Sequence, residues 1–307
     1  MAKYILKRLA LGICAIFVLA TITFFLMKII PGNPFHRENK TLSPEQMAKI
    51  NEQFGLDKPI FEQYLTYMGN ALQGNFGESM KRLGTPVVDV IARSAPTTAK
   101  LGLVAFCVAL TVGITIGIVS ALSKSRLVNG AVTVFATLGV SIPSFLLAMM
   151  LMIVFGVKLG WVKLVGLDTV SQYILPAFAL ALYPISMITR LTRSSLMDVM
   201  SKDYITLARS KGTGEVMVII KHGLKNALLP VGTYCGPMLV GLLTGSFVIE
   251  TLFSIPGIGS EFVKSVTNRD YTLIMGLTIF LGSLMILLNL LSDIVAAIID
   301  PRIKFDN

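Results

Sequence analysis

Long apolar blocks alternate with short polar connections along the chain. The first block runs from Leu9 to Ile30, behind Lys3, Lys7 and Arg8. Five more lie at roughly residues 99–122, 130–156, 173–190, 228–249 and 272–298. A run of about 20 apolar residues matches the hydrocarbon thickness of a bilayer, and inside it a helix satisfies its own backbone. The pattern predicts an all-α, polytopic integral membrane protein with six transmembrane helices. The first block is longer than a signal-peptide core and no A-x-A-like cleavage site follows it, so it reads as a span.

The polar stretch 31–96 carries helix punctuation. Ser43-Pro44-Glu45-Gln46 supplies an N-cap, a proline at the first helical position and a glutamine three residues on, which is a capping box. Met47, Ile50 and Phe54 form one stripe, and Gly55 fits the position after the helix. A second helix is predicted from Pro59 to Gln73, with Phe61, Tyr64, Leu65, Met68 and Leu72 as its stripe and Gly74 ending it. The stretch reads as a small extracytoplasmic helical insert that packs on the outer membrane face. The organisation is therefore residues 1–30 (N-terminus and first span), 31–98 (insert) and 99–307 (the remaining spans).

Composition agrees: 54% of the 307 residues are hydrophobic and 14% charged, against about 25% charged in soluble domains. The net charge of +10 is spread over short connections with no basic domain, so no nucleic-acid partner is expected. Lys124 and Arg126 follow the second span. Arg190, Arg193, Lys202, Arg209, Lys211, Lys221 and Lys225 follow the fourth. Stretches 157–172 and 250–271 are less basic. Positive charge collects on the cytoplasmic side, so both termini are expected there; the long insert does not vote.

Candidate chemistry is sparse. Cys14, Cys107 and Cys235 sit in apolar blocks without C-x-x-C spacing and read as small buried hydrophobes. His36 and His222 make no H-E-x-x-H and no Ser/His/Asp set, so neither metal ligation nor catalysis is expected. Ser210-Lys211-Gly212-Thr213-Gly214 lacks the residue order of a phosphate loop. A channel would need a carbonyl filter or a charged ring, for which the sequence shows no sign. Pro143, Pro176, Pro184, Pro230 and Pro237 interrupt spans, and small residues recur at Gly113 to Gly117 and Gly236 to Gly245, a close-packing pattern. Asp293, one turn after Asn289, reads as a structural partner of Arg190 or Arg193 rather than a transport group. Glu250 and Arg269-Asp270 flank a loop where they either form ion pairs or meet a partner. Phe253, Pro256 and Gly257 form either an outer gate or a partner contact.

The most informative stretch is Asp203-Tyr204-Ile205-Thr206-Leu207-Ala208-Arg209-Ser210-Lys211-Gly212. Asp203 can cap a short helix and Gly212 can end it in the left-handed conformation. Tyr204, Leu207, Ala208 and Lys211 share a face at i, i+3, i+4 and i+7. A second helix can begin at Thr213. The stretch resembles the E-A-A-x-x-x-G loop of binding-protein-dependent ABC importer permeases: Thr206-Leu207-Ala208 stand where E-A-A would be, Gly212 is the glycine, and Ala227-Leu228-Leu229-Pro230 resembles the closing I-x-L-P. The glutamate is absent and the interval to the closing segment is longer than in sugar permeases; both departures resemble the oligopeptide and dipeptide branch. So do Pro31-Gly32-Asn33-Pro34, Arg190 to Ser195, Glu250 to Gly259, Asn268-Arg269-Asp270-Tyr271 and Asp300-Pro301-Arg302, which together resemble that branch's B-type subunit.

The resemblance implies a type I ABC importer permease fold in the bacterial plasma membrane. It implies a homologous C-type second permease, two ABC ATPases that bind ATP and Mg outside this chain, and an extracytoplasmic peptide-binding protein. Stretch 191–227 would be the coupling loop, with Asp203, Tyr204, Thr206, Leu207, Ala208 and Lys211 facing an ATPase and Gly212 setting the turn. Glu250, Phe253, Pro256 and Gly257 would serve the outer gate or the binding-protein contact. Peptides are the implied cargo, with nickel, glutathione or another small cargo as the alternative within the family.

Overall fold

The computed structural model describes residues 2–29, 35 and 43–299. Pro31-Gly32-Asn33-Pro34, His36 and Asp300-Pro301-Arg302 lie outside the described residues. In chain order the first helices are α1 (Ala2–Ile29), α2 (Pro44–Gln53), α3 (Ile60–Leu72), α4 (Val87–Leu122), α5 (Arg126–Ser141) and α6 (Ser144–Leu151). A π-helical stretch, Met152–Lys158, continues α6. Then come α7 (Val170–Met200), α8 (Asp203–Ser210), α9 (Glu215–Met217), a second π-helical stretch at Val218–Leu224, and α10 (Lys225–Ala227). The chain ends in α11 (Leu229–Leu243), α12 (Phe247–Leu252), α13 (Ile258–Asn268) and α14 (Tyr271–Ile299).

The segments α1, α4, α7 and α14 are each long and apolar enough to cross a membrane. Two further spans come from bent pairs: Arg126–Ser141 with Ser144–Lys158, bent by 105°, and Glu215–Ala227 with Leu229–Leu243, bent by 48°. Counting each pair once gives six. The third block was expected as one helix over 130–156; the structure breaks it at Ile142-Pro143. Pro143 forces the residue before it out of the helical region, and Ile142 is extended at φ −83°, ψ 120°.

Other boundaries also move. The fourth block was expected to end at residue 190, but α7 continues to Met200 because Thr189, Thr192, Leu196 and Val199 extend its buried face. Arg190 and Arg193 are therefore helical, and they donate to Thr137 Oγ1 (3.1 Å) and Thr133 Oγ1 (3.2 Å) of α5. The fifth block, expected over 228–249, stops at Leu243, and Gly245 then turns the chain at φ +85°. The helix that carries the second span begins at Val87, twelve residues ahead of the apolar block.

The chain divides into two compact units, residues 1–97 with 256–286, and residues 98–255 with 287–307. In the first, α2 starts as expected: Gln46 N donates to Ser43 Oγ (3.3 Å) and Ser43 N to Gln46 Oε1 (3.1 Å). Met47, Ile50 and Phe54 pack against Phe24, Met27, Tyr64 and Met275. The stripe expected for α3 splits. Tyr64, Tyr67 and Met68 face this core, and the Tyr64 hydroxyl meets Thr21 Oγ1 at 2.7 Å. Phe61, Leu65 and Leu72 point outward, an apolar face alongside α1 that suits lipid. Burial pushes the Tyr67 phenol well above its ordinary pKa.

In the second unit α7 is the central helix. Its buried Ile185 and Ile188 join Leu101, Ala105 and Ala109 of α4 and Ala148 of α6 in one core. Close approach explains Gly113 and Gly117: a Cβ on Gly113 would lie 2.8 Å from Ile188 Cβ, and one on Gly117 would lie 2.5 Å from Thr192 Cβ. Thr189 Oγ1 donates to Gly113 O at 3.3 Å across the same contact. Small residues let helix backbones approach, and a hydroxyl can then bond across the seam. The cysteines differ from expectation: Cys14 and Cys107 are exposed on apolar helix surfaces and Cys235 is half-buried. A small apolar side chain is equally at ease facing lipid.

Candidate functional site

The connection between α7 and α11 contains a short helix with a built seat. On α8, Ile205 is fully buried and Ala208 is 8% exposed; they pack with Leu196 and Val199 at the end of α7 and with Val218 and Ala227. Ile118, Ala121, Met200 and Leu224 complete this cluster. On the other side of α8, Tyr204 is 41% and Leu207 56% exposed. The four-residue stripe read from the sequence is therefore divided: Ala208 turns inward with Ile205, while Tyr204, Leu207 and Lys211 remain outside. Thr206 and Asp203 are exposed as well. Asp203 is not the N-cap; Lys202 holds that position without a side-chain cap bond, and Asp203 is the acidic residue of the first turn, where its charge is favourable at the positive end of the helix dipole.

The end of α8 is fixed by backbone geometry. Thr213 N donates to Ala208 O (3.3 Å) and Gly212 N to Arg209 O (2.9 Å), with Gly212 at φ +80°. That pair of bonds with a left-handed residue is a Schellman motif. A clasp spans the turn: Arg209 Nε donates to Glu215 Oε2 (3.0 Å) and Arg209 Nη2 to Glu215 Oε1 (2.6 Å). These bonds hold the Glu215 carboxyl below its ordinary pKa and the Arg209 guanidinium above its own. Asn226 Nδ2 donates to the Tyr204 hydroxyl at 3.1 Å, tying the helix to the segment that leads into α11. Val216, Met217 and Ile220 are exposed beyond the turn. The result is a locked helix with Tyr204 and Leu207 outside, and with Arg209, Lys211 and Lys221 exposed on the same connection. His222 is half-buried on the π-helical stretch.

The second candidate region is mostly interior. Glu250 is fully buried, Phe253 is 2% exposed and Gly257 is buried; of the four residues named there only Pro256 presents a surface. The Glu250 carboxylate accepts from Thr98 Oγ1 at 3.1 Å. Glu250 and Phe253 are thus interior side chains in this conformation. Ser254 takes a left-handed φ of +50° and closes α12, with Ile255 N donating to Glu250 O at 2.8 Å.

Asp270 proves to be a clamp, which short-range pattern did not reveal. It is 2% exposed and accepts from Leu273 N at the start of α14 (3.2 Å) and from Met80 N (3.0 Å). Ser79 Oγ and Lys81 N donate to its other oxygen. Nearby, Arg82 pairs with Glu261 of α13. Ser79, Met80 and Lys81 stand 191, 190 and 189 residues from Asp270, and Arg82 stands 179 from Glu261, so no local signal announces these pairs. Among the described residues no cluster of three or more metal-ligating side chains forms.

Several membrane-spanning helices with a seated, apolar-tipped short helix between two of them suit a membrane transport subunit. The comparisons agree. The profile described as "Binding-protein-dependent transport system inner membrane component" matches residues 113–305, and its N-terminal companion matches residues 1–102. The chain belongs to this family, as an inner-membrane, multi-pass permease subunit. It is 41% identical to the dipeptide transport system permease protein DppB of Lactococcus lactis subsp. cremoris, over 99% of this chain and 100% of that one. It is 42% identical to the oligopeptide transport system permease protein OppB of Escherichia coli K12 over the same shares. The fold is that of ABC importer permeases: a MetNI methionine ABC transporter structure in an inward-facing conformation matches with a TM-score of 0.54 at 16% identity, covering 69% of this chain and 97% of that one. A crystal structure of an amino acid ABC transporter with histidines matches at 0.53.

Proposed function

We propose that this chain is one half of the translocation pathway of an ATP-driven importer for dipeptides or oligopeptides, with α8 as the element that couples it to a cytosolic ATPase. The relatives that match along their whole length are peptide permeases. The observation that carries the coupling role is the division of α8: Ile205 and Ala208 anchor it to the end of α7, leaving Tyr204 and Leu207 exposed. A force on such a helix passes into α7 without the loop absorbing it, as a two-state rocking mechanism needs. Lys7 and Arg8 in the first turns of α1, Lys124 and Arg126 between α4 and α5, and Arg209, Lys211, Lys221 and Lys225 around α8 are assigned to one side when six spans are counted along the chain. By the positive-inside rule that side is cytoplasmic, so both termini are inside and the insert is outside. The partners are a homologous second permease, two ATPases that bind ATP and Mg, and a peptide-binding protein outside.

The test is uptake of labelled dipeptide into proteoliposomes. Uptake is expected only when this chain, the second permease, the ATPases, ATP and the binding protein are all present. Uptake or conductance by this chain alone would refute the importer reading.

Gly212 supplies a sharper test of the coupling role. Its Cβ position is open space, so Gly212→Ala costs only the left-handed φ, about 1 kcal/mol, and should leave most uptake. Gly212→Pro fixes φ near −65° and removes the N–H given to Arg209 O. That variant is expected to reach the membrane at normal amount by immunoblot yet lose uptake. Normal uptake with proline would remove α8 from the coupling role.

A further inference from the structure

In the first compact unit, a pocket of about 240 Å3 is lined by Arg82, Thr85, Val90, Arg93, Pro256 and Glu261, with Ser94 and Thr97 beside them. Its charge does not balance. The Glu261 carboxylate, 8% exposed, is engaged by Arg82 and by Lys264 at 3.5 Å. Arg93 also lines the pocket and is exposed, and no ion pair or hydrogen bond engages it among the described residues. Asp89, one turn earlier on α4, does not line the pocket. The Ser94 hydroxyl is used by Val90 O at 2.8 Å. The pocket therefore carries one guanidinium in excess of the Arg82–Glu261 pair.

Arg93 stands clear of the bilayer. The uncharged part of α4 begins at Leu101, after Lys100, and runs to its end at Leu122. That stretch is about 33 Å long at 1.5 Å per residue, close to the hydrocarbon thickness of about 30 Å. Arg93 lies eight residues before Leu101, about 12 Å further out, whereas the headgroup layer adds only about 6 Å per side. Side chains on a helix lean toward its N-terminus, which for α4 is the end away from the apolar stretch. An anion reaching Arg93 thus comes from water rather than from a lipid headgroup. A monoanion neutralises the excess charge, while a phosphate dianion would overcharge a pocket that already holds Glu261. The planar guanidinium fork matches a carboxylate.

We propose that this pocket takes the free C-terminal carboxylate of a peptide entering the importer, with Arg93 as the residue that holds it. The inference rests on the peptide-importer reading and makes Arg93 a determinant of preference for free-acid peptides. The test compares labelled trialanine with its C-terminal amide, using the complete importer with its binding protein in phosphatidylcholine proteoliposomes. Because the binding protein is common to both chains compared, its own preference cancels. In Arg93→Gln the ratio of acid to amide uptake should fall about tenfold, the order expected for loss of one charged hydrogen-bonded partner. Arg93→Lys should recover part of the ratio. An unchanged ratio overturns the proposal. So does a change that occurs only when phosphatidylglycerol is present, which would assign the anion to lipid. A second readout needs no transport: saturation-transfer NMR of trialanine on the full-length chain in nanodiscs should mark its C-terminal methyl, and Arg93→Gln should remove that signal. Its absence in the unsubstituted chain sinks the pocket. Failure of uptake with the NMR signal intact sinks the importer reading instead.

Discussion

Replacing Leu207 by aspartate is expected to abolish uptake and ATPase recovery while leaving the chain folded in the membrane. Leu207 is 56% exposed and takes no part in the cluster that seats α8, so its removal opens no cavity within this chain. On the coupling reading its side chain enters an apolar groove of an ATPase, and there a carboxylate would be stripped of water without a partner. An unpaired buried charge of this kind costs several kcal/mol. A loss of about 4 kcal/mol is about a thousandfold in affinity, enough to separate the subunits during purification. The control is Ile205→Asp, two residues earlier on the opposite face of α8 and fully buried. It should collapse the seat itself, lowering the thermal midpoint and the yield, whereas Leu207→Asp should change neither. Co-purification of the ATPase with Leu207→Asp at normal amount would place the docking surface elsewhere, with Val216, Met217 and Ile220 the next exposed apolar residues to test.

The features legible in the sequence are those set by local chemistry. Apolar blocks near bilayer length announce their helices, and the Ser43 to Gln46 capping box and the glycines that end α2, α3 and α8 act within a few residues of the backbone they control. The stripe on α8 was legible only in part. On an eight-residue helix, Tyr204-Leu207-Ala208-Lys211 and Ile205-Ala208 both read as continuous faces; which one is buried depends on where Leu196, Val199 and Val218 stand, and that is a tertiary fact. Pro143 was visible as a kink, but its size, 105°, depends on what the two arms pack against. The extension of α7 past Arg190 was hidden for a similar reason: charged residues read as a loop, yet Arg190 and Arg193 find threonine partners on α5 that only the folded chain supplies. The candidate site outside the coupling element was least legible, because Arg82 and Glu261 come together across most of the chain.

The same long-range character makes Asp270 the residue whose loss should cost most stability. One carboxylate oxygen accepts from Met80 N (3.0 Å) and Leu273 N (3.2 Å), the other from Ser79 Oγ and Lys81 N. Leu273 is the third residue of α14, so Asp270 is that helix's N-cap, a role worth about 1 kcal/mol and favoured further by the helix dipole. The bonds to residues 79–81 bind the segment before α4 to the start of α14. Removing the acceptor leaves buried donors unsatisfied, each at about 1–3 kcal/mol before relaxation. Asp270→Ala is therefore expected to cost about 3–5 kcal/mol. Asp270→Asn keeps one good acceptor but loses the charge, and should fall between the two. The local consequence is specific: with the clamp gone, Lys81 and Arg82 become cleavable, and limited trypsinolysis of the purified chain should yield a new cut there. The seat of α8 is made of other residues, so whatever chain folds should still recover the ATPase, opposite to the result expected for Leu207→Asp. An unchanged thermal midpoint together with an unchanged tryptic pattern would show that water replaces the carboxylate at no cost and that Asp270 is no clamp.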